Sequence, residues 1–126
     1  MADPVPPDDL PRLRLRIHFA SGDWLGPGKA ELLALIAETG SISAAGRRMG
    51  MSYKRAWMLV ETLNAIFREP LVESARGGAR GGGAILTPLG AEVLARYRRI
   101  EAAARQAARD DLDWMLAGTG DAAERK

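Results

Sequence analysis

Cysteine is absent from the 126 residues, and histidine occurs once, at His18. Without thiols there is no disulfide and no thiolate-bound metal, a pattern that fits a reducing compartment. A single imidazole and no Cys/His cluster leave no zinc site and no supported Ser–His–Asp arrangement. The carboxylate pairs Asp8–Asp9 and Asp110–Asp111 fall in an acidic arm and on a helical surface, where solvated charge accounts for them. No apolar run approaches the ~18 residues needed to cross a bilayer. The opening MADPVPPDDLP lacks the basic and apolar regions of a secretory signal. Neither enzymatic activity, a cofactor, a metal nor a membrane is expected.

What is present is an ordinary globular composition, 47% apolar and 27% charged, enough for one domain with a modest core. The net charge is only +2, but it is unevenly placed. Between Ser41 and Arg99 stand ten Lys/Arg against four acids, Glu61, Glu69, Glu73 and Glu92. The first eleven residues hold three Asp and no base, and residues 100–126 hold six acids against four bases. Such clustering is the electrostatic footprint of a nucleic-acid binder, and equally that of a solvated basic face.

The stretch 40–67, GSISAAGRRMGMSYKRAWMLVETLNAIF, separates the two. Gly40 ends one helix, Ser41 or Ser43 caps a short second one, Gly50 breaks it, and Ser52 caps a third. Two helices joined by a tight turn, with cations on the first turn of the second, form a helix-turn-helix. In the third helix Ala56, Leu59, Val60, Leu63, Ile66 and Phe67 recur at steps of three and four and face inward. Trp57 flanks that stripe and is assigned to the core. Tyr53 and Met58 stand either at a reading surface or between helices.

The flanks follow by the same reasoning. Residues 1–11 read as a disordered arm, since they are rich in proline and aspartate and bury little. Leu13, Leu15 and Ile17 alternate with Arg12, Arg14, Arg16 and His18, the period of a strand with one apolar and one cationic face. A turn at Ser21-Gly22-Asp23 leads to Trp24 and Leu25, then to a helix over about Lys29–Thr39. Pro70 stops the third helix. Leu71–Ser74 and Ala84–Thr87 bracket the glycine tract RGGARGGG as a hairpin, the wing of a winged helix. That tract lacks the spacing of a phosphate-binding loop. Thr87-Pro88 starts the last helix, which runs to about Ala117 before Gly118.

That last helix would be about 45 Å long if unbroken, longer than a domain of this size can cover. Its stripe of Leu89, Val93, Tyr97, Ile100, Ala104, Ala108, Leu112 and Met115 therefore either meets a second copy or breaks near Gln106 and folds back. The expected fold is mainly α with a small β component. A winged helix-turn-helix occupies residues 12–87, a long C-terminal dimerisation helix 88–117, and a frayed tail 118–126.

For a duplex, Ser52, Tyr53, Lys54 and Arg55 begin the helix whose N-terminal end enters the major groove in this motif. Arg or Lys can reach guanine O6 and N7, while hydroxyls suit phosphates. Ser43, Arg47 and Arg48 can meet the flanking backbone, and Arg76 and Arg80 stand at the wing tip. Cations beside the positive end of a helix dipole are slightly unfavourable, so Lys54 and Arg55 in succession point to function.

From Leu13 to about Ala117 the chain resembles the amino-terminal DNA-binding domain of ModE, the molybdate-responsive regulators of bacteria. The residues that carry the likeness are GSISAAGRRMGMSYKRAWMLVETLN (40–64) and GGAILTPLG (82–90). A looser likeness to LysR-type regulators rests on the spacing GSIS…AA…MG…S. The resemblance implies a cytoplasmic, nucleoid-associated homodimer that binds double-stranded DNA at a two-fold-symmetric operator near molybdenum genes. Full-length members carry a C-terminal pair of molybdate-binding domains for which this chain has no room, so molybdate binding in cis is not expected. A second expectation stays open, that of a protein-interaction winged helix assembling with a larger regulator or enzyme. A third is a small oxyanion sensor built on Arg12, Arg14 and Arg16.

Overall fold

Exposure follows the predicted alternation: Leu13, Leu15, Ile17 and Phe19 are half-buried, while Arg14, Arg16 and His18 face solvent. The structure, a computed structural model, describes residues 13–75 and 83–120. Only Ile17–His18 (β1) is paired as strand, antiparallel to Trp24–Leu25 (β2), with Ile17 opposite Leu25. The ladder is shorter than the alternation because the chain reverses at once, the Gly22 amide donating to Phe19 O at 2.9 Å.

Helix α1, Pro27–Thr39, begins two residues earlier than predicted, with Pro27 at its first position, where a missing N–H costs nothing. It ends on Gly40 in the left-handed region (φ +71°), whose amide donates to Ile36 O at 2.8 Å. Leu32, Leu33 and Ile36 are fully buried, and α1 is the central helix of the domain. Helix α2, Ile42–Arg48, is capped by Ser41, not Ser43: the Ser41 hydroxyl oxygen accepts the Ala44 amide at 3.0 Å. Helix α3, Tyr53–Ile66, is capped by Ser52, which accepts the Arg55 amide at 3.1 Å. These two helices approach closely because Gly46 faces Ala56; a Cβ on Gly46 would stand 2.8 Å from the Ala56 Cβ.

The hairpin is present, each strand displaced one residue towards the tip with the pairing unchanged, as Val72–Ala75 (β3) and Gly83–Leu86 (β4), antiparallel with Val72 opposite Leu86 and Ser74 opposite Ala84. Helix α4, Pro88–Ala117, is continuous and does not break near Gln106. Thr87 caps it, accepting the Gly90 amide at 2.9 Å while its own hydroxyl donates to Pro70 O at 2.8 Å.

Among the described residues, two polar side-chain contacts tie α4 to the rest. The buried Tyr97 donates its hydroxyl to Leu15 O at 2.7 Å, and Arg98 pairs with Glu31 of α1 at 3.1 Å. Burial, helped by the nearby Glu101 carboxylate, pushes the Tyr97 phenol above its usual value. Further along α4 Trp114 is 78% exposed and Met115 and Leu116 are exposed as well, while Leu112 is half-buried. The architecture is a winged helix-turn-helix with a projecting C-terminal helix, as the sequence predicts.

Candidate nucleic-acid interface

One side of the domain is built from the start of α3, the outer face of α2 and the two wing strands. Tyr53, Lys54 and Arg55 fill the first turn of α3, and all three are exposed. The cap places them: once the Ser52 oxygen has taken the Arg55 amide, the first turn is fixed and its side chains fan outward. Among the described residues neither Lys54 nor Arg55 enters an ion pair. Beside them a groove of about 260 Å³ is lined by Ser52, Lys54, Arg55, Met58, Leu59 and Thr62.

On α2, Arg47 donates to the Ser43 hydroxyl at 2.7 Å, one helical turn back, so these two predicted contacts form a single unit. Arg48 is instead drawn to Glu38 of α1 in an exposed ion pair. Exposed pairs of this kind contribute about 0–1 kcal/mol, so Glu38 holds Arg48 only weakly. Arg76 and Arg80 lie outside the described residues. So does Arg12 of the arginine strand. Of its companions, Arg16 lies with its guanidinium 4.0 Å from the centre of the Trp24 ring. The buried Lys29 ammonium stands 3.9 Å from the same centre and donates to Trp24 O at 2.9 Å. Those two cations serve the packing of Trp24; burial pushes the Lys29 ammonium below its usual value, partly offset by Asp23.

One assignment is overturned. Trp57 is not in the core: it is 44% exposed and lines a notch of about 290 Å³ between α3 and the wing. The inward stripe is filled by Ala56, Val60 and Leu63, all buried. Position 57 is rotated from that stripe towards the returning hairpin, so it ends on the open flank. Tyr53 and Met58 are exposed as well, which settles their open position in favour of the surface.

The residue that sequence reasoning missed is Asn64. Its Oδ1 accepts the amides of Leu71 at 2.8 Å and Val72 at 3.0 Å, and its Nδ2 donates to Val72 O at 3.0 Å. A single side chain thus fixes where the wing leaves α3. A second pin is the Ala84 amide donating to Gly40 O at 2.9 Å, which holds β4 against the junction of α1 and α2. A polar side chain late in a helix, just before Pro70 and a strand, was the only signal available, and it is weak.

The profile of the family described as "Bacterial regulatory helix-turn-helix protein, lysR family" matches residues 28–91. The chain is 49% identical over 82 residues to the Rhodobacter capsulatus "Molybdenum-pterin-binding protein MopB", covering 65% of this chain and 30% of that protein. It is 42% identical over 71 residues to the "DNA-binding transcriptional dual regulator ModE" of Escherichia coli K12, covering 56% of this chain and 27% of ModE. A solved structure titled "Crystal structure of full-length CbnR complexed with the target DNA complex" superposes with a TM-score of 0.51 at 28% identity. That match covers 67% of this chain and 28% of the other. The chain thus spans about a third of the length of the curated relatives it matches. The likeness to the amino-terminal region of ModE is confirmed, and the chain belongs to the bacterial regulatory helix-turn-helix proteins of the lysR family.

Proposed function

We propose that this regulatory protein is a sequence-specific DNA-binding transcription regulator of the ModE type. In this reading α3 enters the major groove N-terminus first. Arg55 and Lys54 read base edges or phosphates, Tyr53 and Ser52 meet phosphates, and the Ser43–Arg47 pair and Arg48 lie along the flanking backbone. Arg76 and Arg80 of the wing complete the contact. The observation that supports it most is the capped first turn of α3, which presents Lys54 and Arg55 outward beside a wing pinned by Asn64. Neither the relatives nor the solved neighbour favours the interaction-module alternative.

The functional unit in this proposal is a homodimer on a two-fold-symmetric operator. The projecting half of α4 supports it, with Ala104, Ala108, Leu112 and Met115 in line and Trp114 exposed. Burying such a stripe needs a second helix, and two heads related by two-fold symmetry would address two half-sites.

The test is selection of bound duplexes from a random pool, followed by titration of the best one across a salt series. Wild-type affinity should fall steeply with salt as phosphate contacts release counterions. Arg55→Ala should cost about 1–3 kcal/mol and relax preference at one base pair, and Lys54→Ala should weaken binding and lower the salt slope by about 1. A Lys54→Ala/Arg55→Ala double variant that binds like wild type defeats the assignment. Sedimentation over a concentration range tests the dimer, which Trp114→Ala and Met115→Ala should weaken.

A further inference from the structure

We propose that the notch between α3 and the wing seats one sugar–phosphate strand of the duplex. Trp57 packs against deoxyribose there, and the hydroxyls of Ser43, Tyr53 and Ser74 donate to phosphate. The proposal rests on the DNA-binding reading above and adds to it two residues, Trp57 and Ser74, that a recognition-helix argument does not supply.

Position comes first. The notch, about 290 Å³, lies where α2, α3 and both wing strands meet, with Ser43, Tyr53, Trp57, Ser74 and Ala84 among its walls. In B-DNA the major groove, about 12 Å wide, and the minor groove, about 6 Å wide, are divided by a single backbone strand. A domain that puts a helix in one groove and a hairpin beside the other must accommodate that strand between the two. Here the space between them is this notch.

Its chemistry suits a backbone and not a base edge. None of the described residues lining the notch is charged. Hydroxyls come instead from three separate elements: Ser43 from α2, Tyr53 from α3 and Ser74 from β3. Ser and Tyr hydroxyls are regular phosphate donors. The Ser43 oxygen already accepts from Arg47, which is not among the lining residues, and this leaves the Ser43 proton free to give. Trp57 supplies an apolar ring and an N–H donor, the combination that suits a boundary with one wet and one dry side. An indole left 44% exposed on the first two turns of a recognition helix is covered when a strand docks there. The seat is also built in advance: Asn64 fixes the start of β3 and the Ala84–Gly40 bond fixes β4, so the walls need not move to receive it.

A neutral seat has a distinctive signature. Contacts made by cations set the slope of affinity against salt, and contacts made by hydroxyls and an indole do not. Trp57→Ala and a Ser43→Ala/Ser74→Ala double variant should each weaken binding about tenfold, the loss of one or two net hydrogen bonds or the equivalent packing. Their salt slopes should match that of wild type. Lys54→Ala should lower the slope.

The experiment uses the full chain and the best duplex from the selection, with circular dichroism as a control for folding and Trp57→Phe as a milder variant that keeps a ring. On the DNA side, single methylphosphonate replacements are scanned along each strand, a perturbation that leaves the protein untouched. One phosphate per half-site should weaken wild-type binding and have little further effect in the serine double variant, while still acting in Lys54→Ala. Folded Trp57→Ala with wild-type affinity, a lowered slope in the neutral variants, or no phosphate whose effect depends on the serines overturns the notch alone. Absence of binding to any duplex at low salt overturns both readings.

Discussion

Replacing Gly90 by alanine should destabilise the domain, although alanine favours a helix. Gly90 lies in the first turn of α4, and a Cβ there would stand 2.1 Å from Leu71 O, 2.9 Å from its carbonyl carbon and 3.1 Å from its Cα. A carbon–oxygen contact settles at roughly 3.3–3.6 Å, so one backbone must retreat by on the order of 1 Å. Neither is free to. Leu71 O accepts the Thr87 amide at 2.9 Å, and Leu71 N donates to Asn64 at 2.8 Å. On the other side the Gly90 amide is the donor that Thr87 caps. The gain in helix propensity is at most about 1 kcal/mol. Against it stand about 1–3 kcal/mol for overpacking and about 1 kcal/mol for each hydrogen bond that stretches open. The balance is a loss of about 1–3 kcal/mol, which at a typical urea dependence of about 2 kcal/mol per molar lowers the unfolding midpoint by roughly 1 M. Gly28→Ala is the internal control, because a Cβ there meets nothing within 4 Å in the first turn of α1. It should raise the stability by about 0.4–1 kcal/mol through the entropy of the unfolded chain. The same substitution thus carries opposite signs at two helix starts. If Gly90→Ala is as stable as wild type or gains like Gly28→Ala, the close approach of Leu71 to α4 is wrong.

Asn64→Ala removes three hydrogen bonds and leaves the Leu71 and Val72 amides without partners, both in buried residues. A loss of about 2–4 kcal/mol is expected by urea unfolding, together with faster exchange of the Val72 amide; unchanged exchange would refute the pinning of the wing. Tyr97 gives a dependence on pH. Its phenol is raised above the ordinary 10.0 in the folded state, so the folded protein holds that proton more tightly than the unfolded chain. The stability it contributes is complete below pH 10 and is lost as pH rises through the folded value. Lys29, shifted downward, acts in the opposite sense as pH approaches 10.5, so the comparison must be between variants. Urea midpoints from pH 8 to 11 should fall more steeply for wild type than for Tyr97→Phe, and parallel curves would rule the phenol out.

The parts of this fold that were legible in the sequence are those decided within a few residues. Ser52 and Thr87 cap α3 and α4 as read, because a cap is a contact between a hydroxyl and an amide three residues on. The continuity of α4 was left open by its pattern, since an apolar stripe is the same whether it meets its own domain or another helix. Trp57 and Asn64 show where local reasoning ends. Both lie on the flank of α3, and from periodicity alone a flank is simply the edge of the apolar stripe. Its meaning depends on which side the chain returns after Pro70, and that is fixed by contacts between residues seven and eight apart and by the distant Gly40–Ala84 bond. Once the hairpin returns on that side, the same flank divides in two. Asn64, near the end of α3, is covered and spends its amide on the wing. Trp57, two turns earlier, is left open beside the cationic first turn. The cations of the proposed reading surface could be found by counting charge along the chain; the neutral notch beside them could be found only by knowing where the wing stands.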